Sequence, residues 1–303
     1  MQYVYVLNNH GEPLMPCSPR KARILLKTKR ATVKKRTPFT IQLIYGSTGY
    51  KQPITLGVDA GSKHIGLSAS TESKEIYAEE LKPRNDVVDL LSARRELRRG
   101  RRNRKTRYRA RRFNNRVHSK HKGWLAPSVE VKIQEHITAI KRICRRLPIG
   151  IMRKTLIARL RSELSIPVSE TYGYITKMRR EQHDIPKSHT NDALCIANHS
   201  KAEHCGTQYN SKAVRHHNRQ IHKCKINKGG TRKRNQAPYF VKGFRLWDKV
   251  SFEGEECFIT GRRSSGSFML KKLDGTTISN GAGYKRLKFL ESANNYVLER
   301  GAR

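Results

Sequence analysis

The chain has 303 residues and a hydrophobic content of 36%, enough for modest cores in one large domain or several small ones. Its 64 Lys and Arg stand against 24 Asp and Glu, a formal charge of +40 that repels itself unless a polyanion neutralises it. No run of about 18 apolar residues exists, which excludes a helical membrane span, and no two cysteines stand at Cys-x-x-Cys spacing, which argues against a disulfide framework or a tight zinc site.

The N-terminus lacks a charged segment followed by an apolar one, so no secretory leader is expected. Residues 3–7 are β-branched and aromatic and read as a strand, closed by the turn Asn8-Asn9-His10-Gly11. Pro13-Leu14-Met15-Pro16 is read as irregular, because two prolines fix φ and remove donors. Residues 20–26 suit a short helix with Ser18 as cap and Pro19 at its first position, and residues 39–44 alternate as a strand.

Residues 54–59 are nearly all apolar and read as a buried strand ending in Asp59. After Ala60 and Gly61 a second apolar run, 65–69, completes a hairpin. Composition then shifts. Residues 94–112 hold eleven Arg and one Lys against one acid, Glu96. These residue types favour helix, yet a helix charged all round has no stripe to bury and needs phosphates on several sides.

Residues 124–148 are amphipathic: Val131, Ile133, Ile137, Ile140, Ile143 and Leu147 recur at helical steps before Pro148. A further helix is expected over 152–164, a strand over 168–175, and a helix start over 190–197 with Asn191 and Asp192 in its first turn. Residues 198–235 are basic and histidine-rich with few apolars, hence an arm or linker. From Tyr239 onward, short strands at roughly ten-residue spacing with Gly-containing turns suggest a small β-barrel.

Three features carry candidate chemistry. Asp59 ends a buried strand beside glycine, where RNase H-like folds hold a divalent metal; an ordinary turn aspartate is the other reading. His189 and Asp192, three apart at a helix start, share a face and suit a metal ligand with a water- or proton-handling partner; a cap histidine and a dipole-complementing acid are the plain alternative. The arginine run demands phosphate. His199, His204, Cys205, His216, His217, His222 and Cys224 offer metal-binding types without a standard spacing, so a basic arm is the better account.

In this order the pieces resemble the transposon-associated IscB/IsrB family of RNA-guided, RuvC-like nucleases. The resemblance rests on Pro13-Leu14-Met15-Pro16 for an RRXRR/PLMP-type N-terminal module and on Leu56-Gly57-Val58-Asp59-Ala60-Gly61-Ser62 for the first RuvC segment. The arginine run into Phe113-Asn114-Asn115-Arg116 and Gly123-Trp124-Leu125 is similar to the bridge helix and its exit. Tyr172-Gly173-Tyr174-Ile175-Thr176-Lys177, then Lys187-Ser188-His189 with Asp192-Ala193, resembles the third RuvC segment and its approach. Val241, Gly243-Phe244-Arg245-Leu246 and Asp248, with Gly261-Arg262-Arg263, resemble the C-terminal barrel that reads a target-adjacent motif.

The resemblance implies an α/β fold: an RNase H-like (RuvC) core split in sequence, an Arg-rich bridge helix, a small N-terminal module and a small C-terminal β-barrel. The expected division is 1–53 for the N-terminal module, 54–93 for the first RuvC segment, 94–117 for the bridge, 118–201 for the rest of the core with its third segment at 187–197, 202–238 for a basic arm, and 239–303 for the barrel. It implies a structured guide RNA and target DNA as partners, a monomeric ribonucleoprotein, no membrane, and a cytoplasmic, nucleoid-associated setting in a prokaryote. Asp59 and Asp192 are expected to bind Mg²⁺ or Mn²⁺, with His189 completing the catalytic set. Guide RNA is assigned to Arg94, Arg95, Arg98, Arg99, Arg101, Arg102, Arg104, Arg107, Arg109, Arg111 and Arg112; the DNA motif is assigned to Arg245, Arg262 and Arg263.

One departure stands out. Leu147-Pro148-Ile149-Gly150 runs straight into Ile151-Met152-Arg153-Lys154, so the HNH domain and the second-segment RuvC glutamate are both expected to be missing. Two-metal hydrolysis relies on several carboxylates holding ions about 3.5–4 Å apart. Glu170, on the strand before Tyr172, is the one nearby acid that could substitute; Glu163 and Glu135 are read as lying on helices. Cleavage is therefore expected to be impaired, and the alternatives are a nuclease-inactive guide-RNA-binding protein or a plain basic RNA-binding protein.

Overall fold

A computed structural model of the protein describes residues 3–46, 49–103, 124–154, 166–215 and 238–302, without the side chains of 101–103, 153 and 154. The N-terminal sheet has the order β2-β1-β4-β3, built from β1 (Val4–Leu7), β2 (Pro13–Cys17), β3 (Ala31–Lys35) and β4 (Thr40–Leu43). Helix α1 (Pro19–Lys27) starts as its sequence predicts, with the Ser18 hydroxyl accepting from the Lys21 amide at 3.3 Å. The Pro13–Pro16 tetrapeptide is not irregular. It forms β2, and the prolines are tolerated because β2 is the edge strand and its pairing with β1 carries a bulge.

The largest sheet has seven strands in the order β16-β10-β7-β6-β5-β8-β9. Its members are β5 (Ile54–Asp59), β6 (Ile65–Ser70), β7 (Glu75–Lys82), β8 (Ile149–Lys154), β9 (Val168–Glu170), β10 (Gln208–Ala213) and β16 (Tyr296–Gly301). β5 pairs antiparallel with β6 and parallel with β8; β6 and β7 are antiparallel, and β8 and β9 parallel. Helix α3 (Pro127–Cys144) lays Ile137, Ala139, Ile140 and Ile143 into one core with Leu56, Val58 and Leu67. That cluster is the largest buried core among the described residues.

Several segments differ from the sequence reading. β8 occupies Ile149–Lys154, so the start of the helix expected over 152–164 is strand; residues 155–165 lie outside the described residues. The expected strand over 168–175 stops at Glu170, and helix α4 (Gly173–Gln182) follows. β10 lies within the stretch read as an arm, where Tyr209, Ser211 and Ala213 alternate inward. β8 lies parallel beside β5, and none of its residues is acidic.

Helix α2 (Val87–Asn103) begins seven residues before the arginine run, and no residue from Val87 to Gly100 is buried. The remaining arginine-run residues 104–112 lie outside the described residues. Among the described residues no helix is long and apolar enough to cross a membrane.

The C-terminal strands are β11 (Lys249–Phe252), β12 (Glu255–Arg262), β13 (Ser267–Lys271), β14 (Thr277–Gly283) and β15 (Lys288–Glu291), an antiparallel sheet in the order β14-β13-β12-β11-β15. Val250, Phe252, Cys257, Ile259, Phe268 and Leu270 form its core. Closure of this sheet into a barrel would need β14 to pair with β15, which the sheet order does not include. The last strand does not join it. β16 returns to the large sheet and pairs with β10 over six residues, from Gln208↔Gly301 to Ala213↔Tyr296.

The large sheet buries two carboxylates of β7. Glu79 is fully buried and meets the Arg142 guanidinium of α3, the Ser211 hydroxyl of β10 and the Tyr77 hydroxyl at 2.5 Å. Burial opposes its charge, yet Arg142 and the two hydroxyls together hold its carboxyl below the ordinary value. Glu75 accepts from the Ser68 hydroxyl at 2.6 Å and the Cys205 amide at 3.2 Å.

A carboxyl held low when folded contributes stability above its unfolded pKa and loses it as pH falls through the folded value. Arg142→Met strands a buried anion and is expected to cost about 3–5 kcal/mol at pH 7. The urea midpoints of the two proteins should draw together as pH falls through the lowered folded-state pKa of Glu79 and its carboxyl becomes protonated in both. A gap that stays constant with pH would show that packing of Arg142, not its charge, is what stabilises.

Candidate metal centre and basic surfaces

Helix α5 (His189–Ile196) brings the two distant segments together. Ser188 caps it, its hydroxyl accepting from the Asn191 amide at 3.1 Å, and the helix then lies directly on β5 and β6. Two glycines make that approach possible. A Cβ on Gly57 would stand 1.8 Å from the Ala193 carbonyl oxygen, and one on Gly66 would stand 1.8 Å from that of His189. Only a residue without a side chain permits backbone contact this close.

The result places His189 against Asp59, Nδ1 to Oδ2 at 2.8 Å. An ionised carboxylate only accepts, so this contact puts the proton on Nδ1 and leaves Nε2 with a lone pair in the neutral ring. Asp192, one turn along, pairs with Arg180 of α4 at 3.1 Å. Burial, then the charge of Asp59, push the Asp192 carboxyl above its ordinary value, against Arg180, His189 and Lys187. The three residues singled out in the sequence thus share one partly exposed cleft, and a cation would relieve the repulsion between the two carboxylates.

Of the acids considered as substitutes, the two that are described lie on other elements. Glu135 accepts from the Arg84 amide at 2.7 Å, and burial raises its carboxyl above the ordinary value. Glu170 sits in β9 at the register of Lys154, beyond β8. Glu163 lies outside the described residues. On β8 the register puts Arg153 beside Gly57 and Lys154 beside Val58.

Two functional candidates escaped the sequence reading. His64, at the end of the β5–β6 turn, stacks on His189 with ring centroids 5.2 Å apart and planes parallel. Its Nδ1 meets Oε1 of Glu80 at 2.6 Å. Ligand atoms of His64, Glu80 and His189 all lie within 4.8 Å of one another. The signal was the hairpin register, and it needed β7 to be recognised as a strand.

The histidines and cysteines read as a poor metal pattern do not gather among the described residues. His199 meets the Ser70 hydroxyl at 2.9 Å, and the Cys205 thiol donates to the Thr207 carbonyl. His204 lies 3.6 Å from Glu75. His216, His217, His222 and Cys224 fall outside the described residues.

Of the arginines assigned to RNA, Arg94, Arg95, Arg98 and Arg99 are exposed on α2. Arg101 and Arg102 continue that helix, whereas Arg104, Arg107, Arg109, Arg111 and Arg112 lie outside the described residues. Of those assigned to the DNA motif, Arg263 is exposed. Arg262 donates to the carbonyls of Tyr239, Phe244 and Pro238 at 2.7, 3.3 and 3.1 Å, which makes it a brace for that segment. Arg245 is held by Asp248, whose buried carboxylate also accepts from the Arg245 and Ala293 amides at 2.8 Å.

A family model described as RRXRR protein matches residues 4–159, just over half of the chain. The chain belongs to the RRXRR family. This domain is the hallmark of IscB-like RNA-guided nucleases. No curated protein matches the chain.

The RRXRR match covers β5, β6 and β8 but ends before α5, so the docking of α5 is what completes the site. Gly66→Ala is expected to lower stability by about 3 kcal/mol, since backbone cannot yield as a side chain can. Thermal unfolding of the variant checks it. A change within about 0.5 kcal/mol would mean that α5 is not seated as described.

Proposed function

We propose that this RRXRR protein is an RNA-guided DNA-binding protein of the IscB/IsrB type whose RuvC-like site is impaired for cleavage. One observation carries the reading. Asp59 ends the central strand of a β7-β6-β5-β8-β9 run, the arrangement of an RNase H-like core, and α5 delivers His189 and Asp192 to it. Asp59 and Asp192 would hold Mg²⁺ or Mn²⁺, which when bound supplies Lewis-acid activation of water. His189, oriented by Asp59, keeps an Nε2 lone pair able to take a proton. The missing acid on β8 favours a second reading, a guide-RNA-binding protein that has lost cleavage.

The basic surface supports RNA as partner. Arg94, Arg95, Arg98 and Arg99 of α2 are exposed, and no residue from Val87 to Gly100 is buried, so this charged face is open to phosphates. Tyr172 and Tyr174, stacked at 5.9 Å and more than 60% exposed, offer a platform for unpaired bases. The C-terminal sheet is proposed to read the target-adjacent motif through Arg263 and the surface around Arg245. The assembly is proposed to be a monomeric ribonucleoprotein of a prokaryotic cytoplasm.

The test uses the full-length protein with the RNA that co-purifies with it, a labelled duplex matching that RNA, and Mg²⁺ or Mn²⁺. Guide-dependent DNA binding is expected, with nicking orders of magnitude slower than in a relative with an intact carboxylate set. Any nicking should vanish in Asp59→Ala. Arg153→Glu, which returns an acid to β8 at the register of Gly57, should raise the nicking rate at least about tenfold. Protein that retains no RNA, or DNA binding indifferent to the guide, would overturn the reading.

The bridge can be tested apart from cleavage. Replacing Arg94, Arg95, Arg98 and Arg99 by Gln should reduce the slope of log K against log salt for RNA by about 3, since each lost phosphate contact removes close to one released counterion. Filter binding over a salt series measures it. Equal slopes would remove α2 from the interface.

A further inference from the structure

We propose that His64, Glu80 and His189 form a binding site for a divalent transition metal of the Mn²⁺, Co²⁺ or Zn²⁺ class, on the β6–β7 side of Asp59. The site lies away from β8, where the carboxylate is missing.

The sheet register sets the frame. Asp59 pairs with Gly66, and Gly66 pairs with Glu80, so the three form a straight row across β5, β6 and β7. Residues directly opposite in antiparallel pairs project from the same face, so Asp59 and Glu80 point the same way. Between them Gly66 contributes no side chain, and the start of α5 fills the space with the backbone of His189. The two imidazoles therefore stand side by side over the gap, His189 anchored on Asp59 and His64 on Glu80.

This is a paired carboxylate–histidine arrangement, in which each acid fixes the tautomer and orientation of its ring and raises its basicity as a ligand. Parallel stacking of the two rings sets a nitrogen of each where one cation can bridge them. The donor atoms already lie within 4.8 Å of one another. Zn–N bonds of about 2.0–2.1 Å imply ligand separations of roughly 3.3 Å, so closure by about 1.5 Å or less suffices.

Exposure is intermediate, with side-chain values of 35% for His64, 24% for Glu80 and 42% for His189, so an ion can enter and water can fill the remaining positions. The donor types select the metal. Two imidazoles and one carboxylate suit Mn²⁺, Co²⁺ or Zn²⁺, whereas Mg²⁺ prefers all-oxygen ligands. Metal binding at this place follows from the residues alone; any use of it in cleavage rests on the proposed nuclease-like function.

The experiment titrates the full chain, freed of nucleic acid at high salt, with Co²⁺ and follows its visible absorption; Mn²⁺ binding is followed in parallel by electron paramagnetic resonance. Wild-type protein is compared with His64→Asn, Glu80→Gln and Asp192→Asn, each checked for folding by thermal unfolding. The expected result is saturable Co²⁺ binding with nitrogen-ligand bands, weakened at least about tenfold in His64→Asn and in Glu80→Gln. It should persist in Asp192→Asn. The first two variants are read separately, so a folding failure in one leaves the other decisive. Unaltered Co²⁺ binding in either folded variant, or no binding by the wild type, overturns the inference. Metal binding that depends on Asp192 but not on His64 or Glu80 overturns it too, while leaving the proposed function standing. Binding that depends on His64 and Glu80 in a protein that engages no guide RNA supports the site and removes the function instead.

Discussion

The direct seating of α5 on β5 and β6 is the constraint on which the cleft depends. A helix usually rides about 10 Å above a sheet on interleaved side chains. Here Gly57 and Gly66 let helix backbone approach sheet backbone. Side chains at the start of α5 can therefore reach the end of β5 without spanning a layer of packing. The polar groups of the cleft come from secondary-structure ends that have no freedom to move apart independently. Rigid placement of this kind is what a weakly bound ion needs if its ligands are not to be ordered at its own cost.

The same economy of approach explains the distribution of acids. In a chain this basic, each carboxylate withdrawn to the interior raises the net positive charge left on the surface. Glu75 and Glu79 are withdrawn completely, and Asp248 almost so. Each is satisfied where it sits: Glu79 by Arg142, Glu75 by Ser68 and Cys205, Asp248 by Arg245 and Ala293. The N-terminal module is tied to the rest by similar contacts. Tyr5 donates to the Ile76 carbonyl at 3.2 Å and meets Tyr77 edge-on, while Arg36 reaches Glu256 in the C-terminal sheet at 2.8 Å. What is left outward is the arginine surface of α2.

Legibility in the sequence followed physical type. The β5–β6 hairpin, the Ser18 cap and the isoleucine stripe of α3 were readable because burial period and capping chemistry are local. Asp59, His189 and Asp192 were readable as candidates for the same reason, and the structure brings them into one cleft. β7 was not readable, because Glu75, Glu79 and Glu80 disguise a buried strand whose acids find partners far away in sequence. β2 hid behind its prolines, which are permissible only at an edge that the sequence does not announce. His64 and Glu80 could not be paired without knowing that Gly66 stands between Glu80 and Asp59.

The return of β16 has an architectural consequence. β10 and β16 meet as the two arms of a hairpin, with the Val214 amide on the Asn295 carbonyl at 2.8 Å just past their last ladder pair. The whole C-terminal sheet is thus carried as the loop of that hairpin. Because closure entropy grows only logarithmically, a loop of roughly 80 residues costs about 2–3 kcal/mol more than a four-residue one before its own folding repays the difference. The closure term is thus no bar to a large insertion at this hairpin; what fixes the inserted sheet in place is contact, with Phe258 packed on Val214 and Val297 and the Leu273 amide on Glu299.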